Sequence, residues 1–411
     1  MWRHIFRASP WRRGAASLTL GLALLLAACG PAGVTTKPAP TVAPTATPSP
    51  PCTTWKVIPS PTTKYAQSTL MGVVGLSATQ AWAVGATYIG EGNTTAASLV
   101  EQWNGSAWSI VTSPGGPYLN GVAAVSANDI WAVGGASGRF PGIPSEGGSG
   151  TIIRWNGAQW SVAPGAPTSS ALNAVVALAS DNVWAVGSTT STSGTQPLAE
   201  RWNGSAWQAV ASPTPTGATV TYLYAMAAVP GTSQLWAVGS SLKTPRVDYT
   251  QALIERWDGS SWQIVANPAL PSGAFGATLS GVVALSATDA WAVGNYTASD
   301  HQQRTLIIHW DGAAWTVVSA PDVWGRLSGV AAVGAHDVRA VGDRFVDTPT
   351  TNNIGIVERW DGATWSVADL PMPQGVTHTF PQAIATDGAG GYWAPGYSFT
   401  SNFHSLILRC S

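Results

Sequence analysis

The chain has 411 residues, with 19 Lys+Arg against 20 Asp+Glu, 9% charged residues and 22 Trp. A net charge of −1 without a basic stripe excludes a nucleic-acid surface, which needs clustered Lys and Arg to neutralise phosphates.

In chain order, Arg3, Arg7, Arg12 and Arg13 precede an apolar stretch from Ala15 to Ala28. This is a signal-peptide layout, too short for a stable membrane span. It ends in Leu26-Ala27-Ala28-Cys29, which is similar to a bacterial lipobox. That resemblance implies lipidation of Cys29 as the new N-terminus, and a protein exported and lipid-anchored to the outer side of the bacterial cell membrane. Loss of residues 1–28 removes four Arg and leaves 19 − 4 = 15 Lys+Arg against 20 Asp+Glu, a net of −5. Residues 29–51 are rich in Pro, Thr and Ala with one Lys. Such a composition cannot bury enough apolar surface to fold, so it is expected to be an extended tether.

Residues 52–411 are expected to form one repeat domain. Trp recurs there in three interleaved series with a period of roughly 50 residues. The first lies in A-W-A-V-G-like segments at Trp82, Trp131, Trp184, Trp236, Trp291 and Trp393, with Arg339 in the vacant place. The other two form W-N/D-G-x-x-W pairs: Trp103/Trp108, Trp155/Trp160, Trp202/Trp207, Trp257/Trp262, Trp310/Trp315 and Trp360/Trp365. Trp55 heads the third series and Cys410 closes the second, so each series has seven members. Each unit reads as two apolar strands, a variable loop, and two strands joined through Asn-Gly or Asp-Gly. That dipeptide is a two-residue hairpin signal in which both residues take positive φ. The expectation is an all-β, seven-bladed β-propeller of four-stranded antiparallel blades.

The last unit stops after its third strand, and residues 52–61 read as an unattached fourth strand. The N-terminal strand is therefore expected to close the last blade. In that register Cys52 and Cys410 flank the same hairpin, placing a disulfide there if their Cα atoms come within about 7 Å.

The segment Ile130-Trp131-Ala132-Val133-Gly134-Gly135, followed after a loop by Ile153-Arg154-Trp155-Asn156-Gly157 and Trp160, resembles a kelch repeat. Elsewhere the second Gly place holds Ala86, Ser188, Ser240, Asn295, Asp343 and Tyr397. A copper radical oxidase of kelch-like type needs a Tyr cross-linked to Cys, and the ring has no cysteine beyond its closure pair. Glu101, Glu200, Glu255 and Glu358 share one strand place, and Asp129, Asp289 and Asp337 share one turn place. Both sets are expected to be solvated faces and turn caps rather than general acids. The histidines lack metal-ligand spacing, and neither a metal nor a cofactor is expected.

Function on a repeat scaffold resides in its variable loops. The second-to-third-strand loops and the links between blades share one face, and the candidate ligand residues there are Tyr118, Arg246, Asp248, Arg304, Trp324, Arg326, Arg344 and His378. The reading is a monomeric, non-catalytic propeller that binds a glycan or an extracellular protein. The alternative is a cell-surface polysaccharide hydrolase or lyase with a site assembled from the same loops.

Overall fold

The computed structural model describes residues 52–63, 67–89, 95–116, 118–135, 150–163, 170–192, 194–243, 250–346 and 352–411. Cys29, Arg246 and Asp248 lie outside the described residues. Residues 49–411 make one compact unit. Among the described residues every regular element is a β-strand.

Four separate four-stranded antiparallel sheets cover residues 67–110, 119–162, 276–317 and 325–369. An eight-stranded sheet over residues 170–264 consists of two such antiparallel groups joined by one parallel bridge, Thr195 to Val220. The last sheet, five-stranded, combines Tyr392–Phe399 and Phe403–Cys410 with His378–Pro381, Ala385–Thr386 and Trp55–Ile58. Trp55 pairs with Cys410 and Ile58 with Ile407. The N-terminal strand thus completes the C-terminal sheet as expected, and Cys52 and Cys410 form a disulfide with their Cα atoms 5.6 Å apart.

The core lies between sheets. Each apolar cluster draws on two neighbouring four-stranded groups: Trp82, Val84 and Val100 pack with Leu119, Ile130 and Trp160. One cluster joins the first sheet to the last through Leu70, Trp103 and Trp108 against Trp393 and Ile407.

The three Trp series interlock across these contacts. Trp82 lies 4.9 and 5.4 Å from Trp155 and Trp160 of the following sheet, the second contact edge-on at 80°. Trp131 meets Trp202 and Trp207, Trp184 meets Trp257 and Trp262, and Trp236 meets Trp310 and Trp315. Trp291 meets Trp360 and Trp365, and Trp393 meets Trp103 and Trp108. Edge-to-face indoles gain quadrupole attraction beyond their buried area. A polar group caps several of these stacks: Arg154 lies over Trp131 and pairs with Asp129 at 2.8 Å, while His309 lies on Trp291 and meets Asp289 at 2.9 Å. The shared turn acids are therefore partners of these side chains.

Two hairpin and strand expectations require correction. The W-N/D-G-x-x-W turns are four-residue loops in which only the glycine has positive φ, as at Gly105 with φ 97°. Asn104 instead folds its Oδ1 back to accept the Ser106 and Ala107 N–H groups, each at 2.9 Å. The cross-strand Trp103–Trp108 pair sets this longer loop. The four glutamates also depart from a solvated face: Glu101, Glu255 and Glu358 have zero exposure and Glu200 has 3%. They point from the third strand into the seam between sheets.

The glycine of A-W-A-V-G has a steric cause. A Cβ at Gly134 would run into the Tyr118 carbonyl oxygen of the adjacent strand, and Gly85, Gly187 and Gly342 meet the equivalent carbonyls of Thr69, Ala171 and Arg326. Inner strands also carry a recurring register shift, such as Leu119 to Gly121 and Leu172 to Ala174. This bulge aims Asn120 and Asn173 at carbonyl groups of the following four-stranded group, at 2.9 and 2.8 Å.

Candidate functional site

Antiparallel pairing puts the start of each first strand and the end of each second strand at the loop end of the sheets. One position pair there varies from sheet to sheet: Thr69 with Ala86, Ala171 with Ser188, Tyr222 with Ser240, Thr278 with Asn295, Arg326 with Asp343 and Phe380 with Tyr397. Tyr118 holds the same place beside Gly135. These residues belong to none of the Trp series, so scaffold packing does not dictate them. The described phenylalanines, Phe275, Phe345, Phe380, Phe399 and Phe403, all lie at this end.

A run of rings connects the last sheet to the first two. His378 stacks on Phe380 at 6.1 Å, Phe380 on Tyr397 at 4.8 Å, and Tyr397 meets Phe403 edge-on at 5.4 Å. Phe403 continues to Tyr88 at 6.3 Å and Tyr88 to Tyr118 at 5.8 Å. Tyr88 and Tyr397 are buried and form the floor, while Phe380, Phe403, His378 and Tyr118 are half-buried. Burial pushes the Tyr88 hydroxyl up to about 12 and raises Tyr397 as well, so both stay protonated donors at neutral pH. Sequence reasoning named Tyr118 and His378 but missed Phe380, Tyr397, Phe399 and Phe403. The available signal was the clustering of Phe outside the Trp register.

Arg326 stands beside this run. Its Nε donates to Asp343 at 3.0 Å, and Asn353 donates to the other oxygen of that fully buried carboxylate at 2.6 Å. The Asn353 backbone N–H donates to His378 Nδ1 at 3.0 Å and Gly355 N–H to Thr379 Oγ1 at 2.8 Å, tying the two sheets together.

The remaining candidates form a second group. Arg304 is held between Asp300 at 2.7 Å and Asp322 at 3.4 Å, and its backbone bridges to Trp324. Arg344 makes a two-point pair with Asp369 at 2.7 and 2.9 Å, which holds that carboxyl below its usual range. Trp324 packs on Phe345 at 5.5 Å. An open groove of about 460 Å³ runs along Asp322, Trp324, Arg344, Phe345 and Asp369. The structure thus divides the described candidates: Tyr118, Arg326 and His378 join the aromatic run, Trp324 and Arg344 line this groove, and Arg304 lines a separate hollow of about 590 Å³ with Asp300 and Asp322. Among the described residues, no group of three or more His, Cys, Asp or Glu is placed to hold a metal ion.

No family model matches the chain, and no curated protein matches it. Solved structures do resemble it. YCF48 bound to D1 peptide superposes with a TM-score of 0.53 at 14% identity, covering 88% of this chain and 96% of that one. A polysaccharide lyase, an ulvan lyase, gives 0.52 at 8% identity, covering 84% and 94%. A puromycin hydrolase gives 0.50 at 11% identity, covering 84% and 52%. At such identities the likeness concerns fold alone, and together with the four-stranded antiparallel sheets it makes this an all-β chain of β-propeller type.

Proposed function

We propose that the sheets are the seven blades of a closed propeller, that Cys29 carries a lipid anchoring the exported protein to the outer side of the cell membrane, and that the loop end binds a glycan without cleaving it. The observation that carries the binding reading is the run from His378 through Phe380, Tyr397, Phe403 and Tyr88 to Tyr118. Half-buried rings such as Phe380, Phe403 and Tyr118 offer flat apolar faces suited to the C–H faces of sugars. The nearby basic side chains Arg304 and Arg344 are already paired with Asp300, Asp322 and Asp369.

The full-length chain on a glycan array should bind a subset of polysaccharides and leave their chain length unchanged over hours. Phe380→Ala and Phe403→Ala should each weaken that binding about tenfold or more, as anchors worth roughly 1–3 kcal/mol do. Shortening of the bound polysaccharide would replace the reading with an enzyme. Capture of a peptide or extracellular protein in place of any glycan would replace it with a protein-binding role. For the anchor, Cys29→Ala should shift the protein from the membrane to the soluble fraction, and unchanged fractionation would remove that assignment.

A further inference from the structure

We infer that the glycan is acidic, and that Arg326 reads a carboxylate or sulfate on it while the adjacent rings hold the sugar faces; this rests on the glycan reading above. Three observations carry it. First, the Arg326 side chain is one-third exposed, at 34%, beside the aromatic run. Tyr397 of that run lies within electrostatic reach of both Arg326 and Asp343.

Second, the guanidinium is oriented by one edge only. Asp343 is fully buried and takes the Nε hydrogen bond at 3.0 Å, and Asn353 fixes the far oxygen of the carboxylate at 2.6 Å. Among the described residues the two terminal nitrogens, Nη1 and Nη2, have no hydrogen-bond partner. Arg304 and Arg344 on the same face differ, since each is engaged by carboxylates at two of its nitrogens. A planar fork with a free outer edge matches the two-oxygen edge of a carboxylate or sulfate.

Third, the position is one that varies. Its equivalents in other sheets are Thr69, Ala171, Tyr222, Thr278 and Phe380. The scaffold therefore closes without a charge pair there. A buried Asp343 requires a countercharge, but a neutral pair such as Thr278 with Asn295 fills the same place in a neighbouring sheet. Asp343 is thus a positioning residue whose charge preorganises Arg326.

The test compares the full-length chain with an Arg326→Gln single variant and an Arg326→Gln/Asp343→Asn double variant. The double variant leaves no unpaired buried carboxylate, so it folds even where the single variant does not. The probes are polygalacturonate, alginate and a sulfated galactan, each paired with its carboxyl-reduced or desulfated counterpart. At least one acidic chain should bind at least tenfold more tightly than its neutral counterpart at low salt. That ratio should fall to near one in the double variant, with binding to the neutral chain retained. Which pair shows the discrimination separates a carboxylate from a sulfate. Discrimination that survives in the double variant, or acidic chains that bind no better than their counterparts, overturns the inference. Binding confined to neutral chains leaves the glycan reading standing and removes this one. Silence from every acidic and neutral probe, with a glycan array also blank, removes both.

Discussion

Arg339 shows how one residue replaces an entire packing device. In the other sheets a Trp occupies this place and meets two indoles of the following sheet. Arg339 faces the sheet whose second-series place is Cys410, and the disulfide occupies the space that an indole fills elsewhere. The guanidinium, 2% exposed, pairs with Asp337 at 3.0 Å, donates from Nη1 to Cys410 Sγ at 3.2 Å and from Nη2 to the Cys52 carbonyl oxygen. It also lies 4.7 Å over the Tyr392 ring, whose hydroxyl donates to the Asp337 carbonyl oxygen at 2.8 Å. Arg339→Leu would strip these donors from a buried seam and leave Asp337 with Arg359 alone, 3.3 Å away. A loss of about 3–5 kcal/mol is expected from breaking a buried pair on one side, measured by denaturant unfolding. Unchanged stability would make the arginine a passive filler.

Glu255 is the residue at which protonation and folding meet most clearly. Burial raises its carboxyl to about 7, although Ser212 donates to it at 2.7 Å, and Glu101, Glu200 and Glu358 are raised to about 7 for the same reason. The folded pKa lies above the ordinary carboxyl value of 4.5, so between pH 4.5 and 7 the folded state holds a proton that the unfolded chain has released. Stability therefore falls as pH rises through that window and is flat above it. Each carboxyl contributes up to about 3 kcal/mol in total across that window. Glu255→Gln should raise the melting temperature at pH 8 more than at pH 5, and an equal shift at both would show that the carboxyl is ionised in the fold.

At the scale of elements, the short strand Trp55–Ile58 is the weak member. It has four residues, and Lys56 and Val57 face solvent. Its anchorage is the ladder to Phe403–Cys410 and the bridge between Cys52 and Cys410. The bridge spans 358 residues, for which the chain-entropy account gives about 6 kcal/mol as an upper figure. Cys410→Ser should lower the melting temperature and expose the 55–58 segment to protease first, with the other sheets resisting longer. Equal protease resistance would mean that the ladder alone suffices. The A-W-A-V-G strands carry a different constraint. Gly134→Ala would press a methyl group against the Tyr118 carbonyl and separate two paired strands, so little soluble protein is expected, whereas Gly334→Ala, with open space around it, should express normally.

At the scale of the whole molecule, repetition supplies stability and irregularity supplies the candidate site. Trp stacks recur from sheet to sheet, whereas the described Phe residues lie at the loop end, three of them (Phe380, Phe399 and Phe403) in the last sheet. That sheet is also the one whose inner strand is interrupted, between Pro381 and Ala385, where Gln382 and Ala383 turn their N–H groups to the Pro395 carbonyl. The interruption and the ring run coincide, as expected where a regular fold is adapted to a ligand.

The sequence by itself determined the all-β class, the repeat unit, the interlocking role of Trp and the partnership of the N-terminal strand with the last sheet. These follow from period and register, which are properties of linear order. It also placed Cys52 beside Cys410, because an offset between repeat series fixes which chain ends meet. Tertiary structure alone decided that the four glutamates lie in dry seams, because strand alternation says which face a residue is on but not what covers that face. It decided too that Arg304 and Arg344 are neutralised while, among the described residues, Arg326 is bonded at Nε alone, since their acids come from 4 to 25 residues away and in one case from a link between sheets. The aromatic run was hidden for the same reason: its rings are scattered from Tyr88 to Phe403 in sequence, and only the meeting of the first and last sheets brings them together.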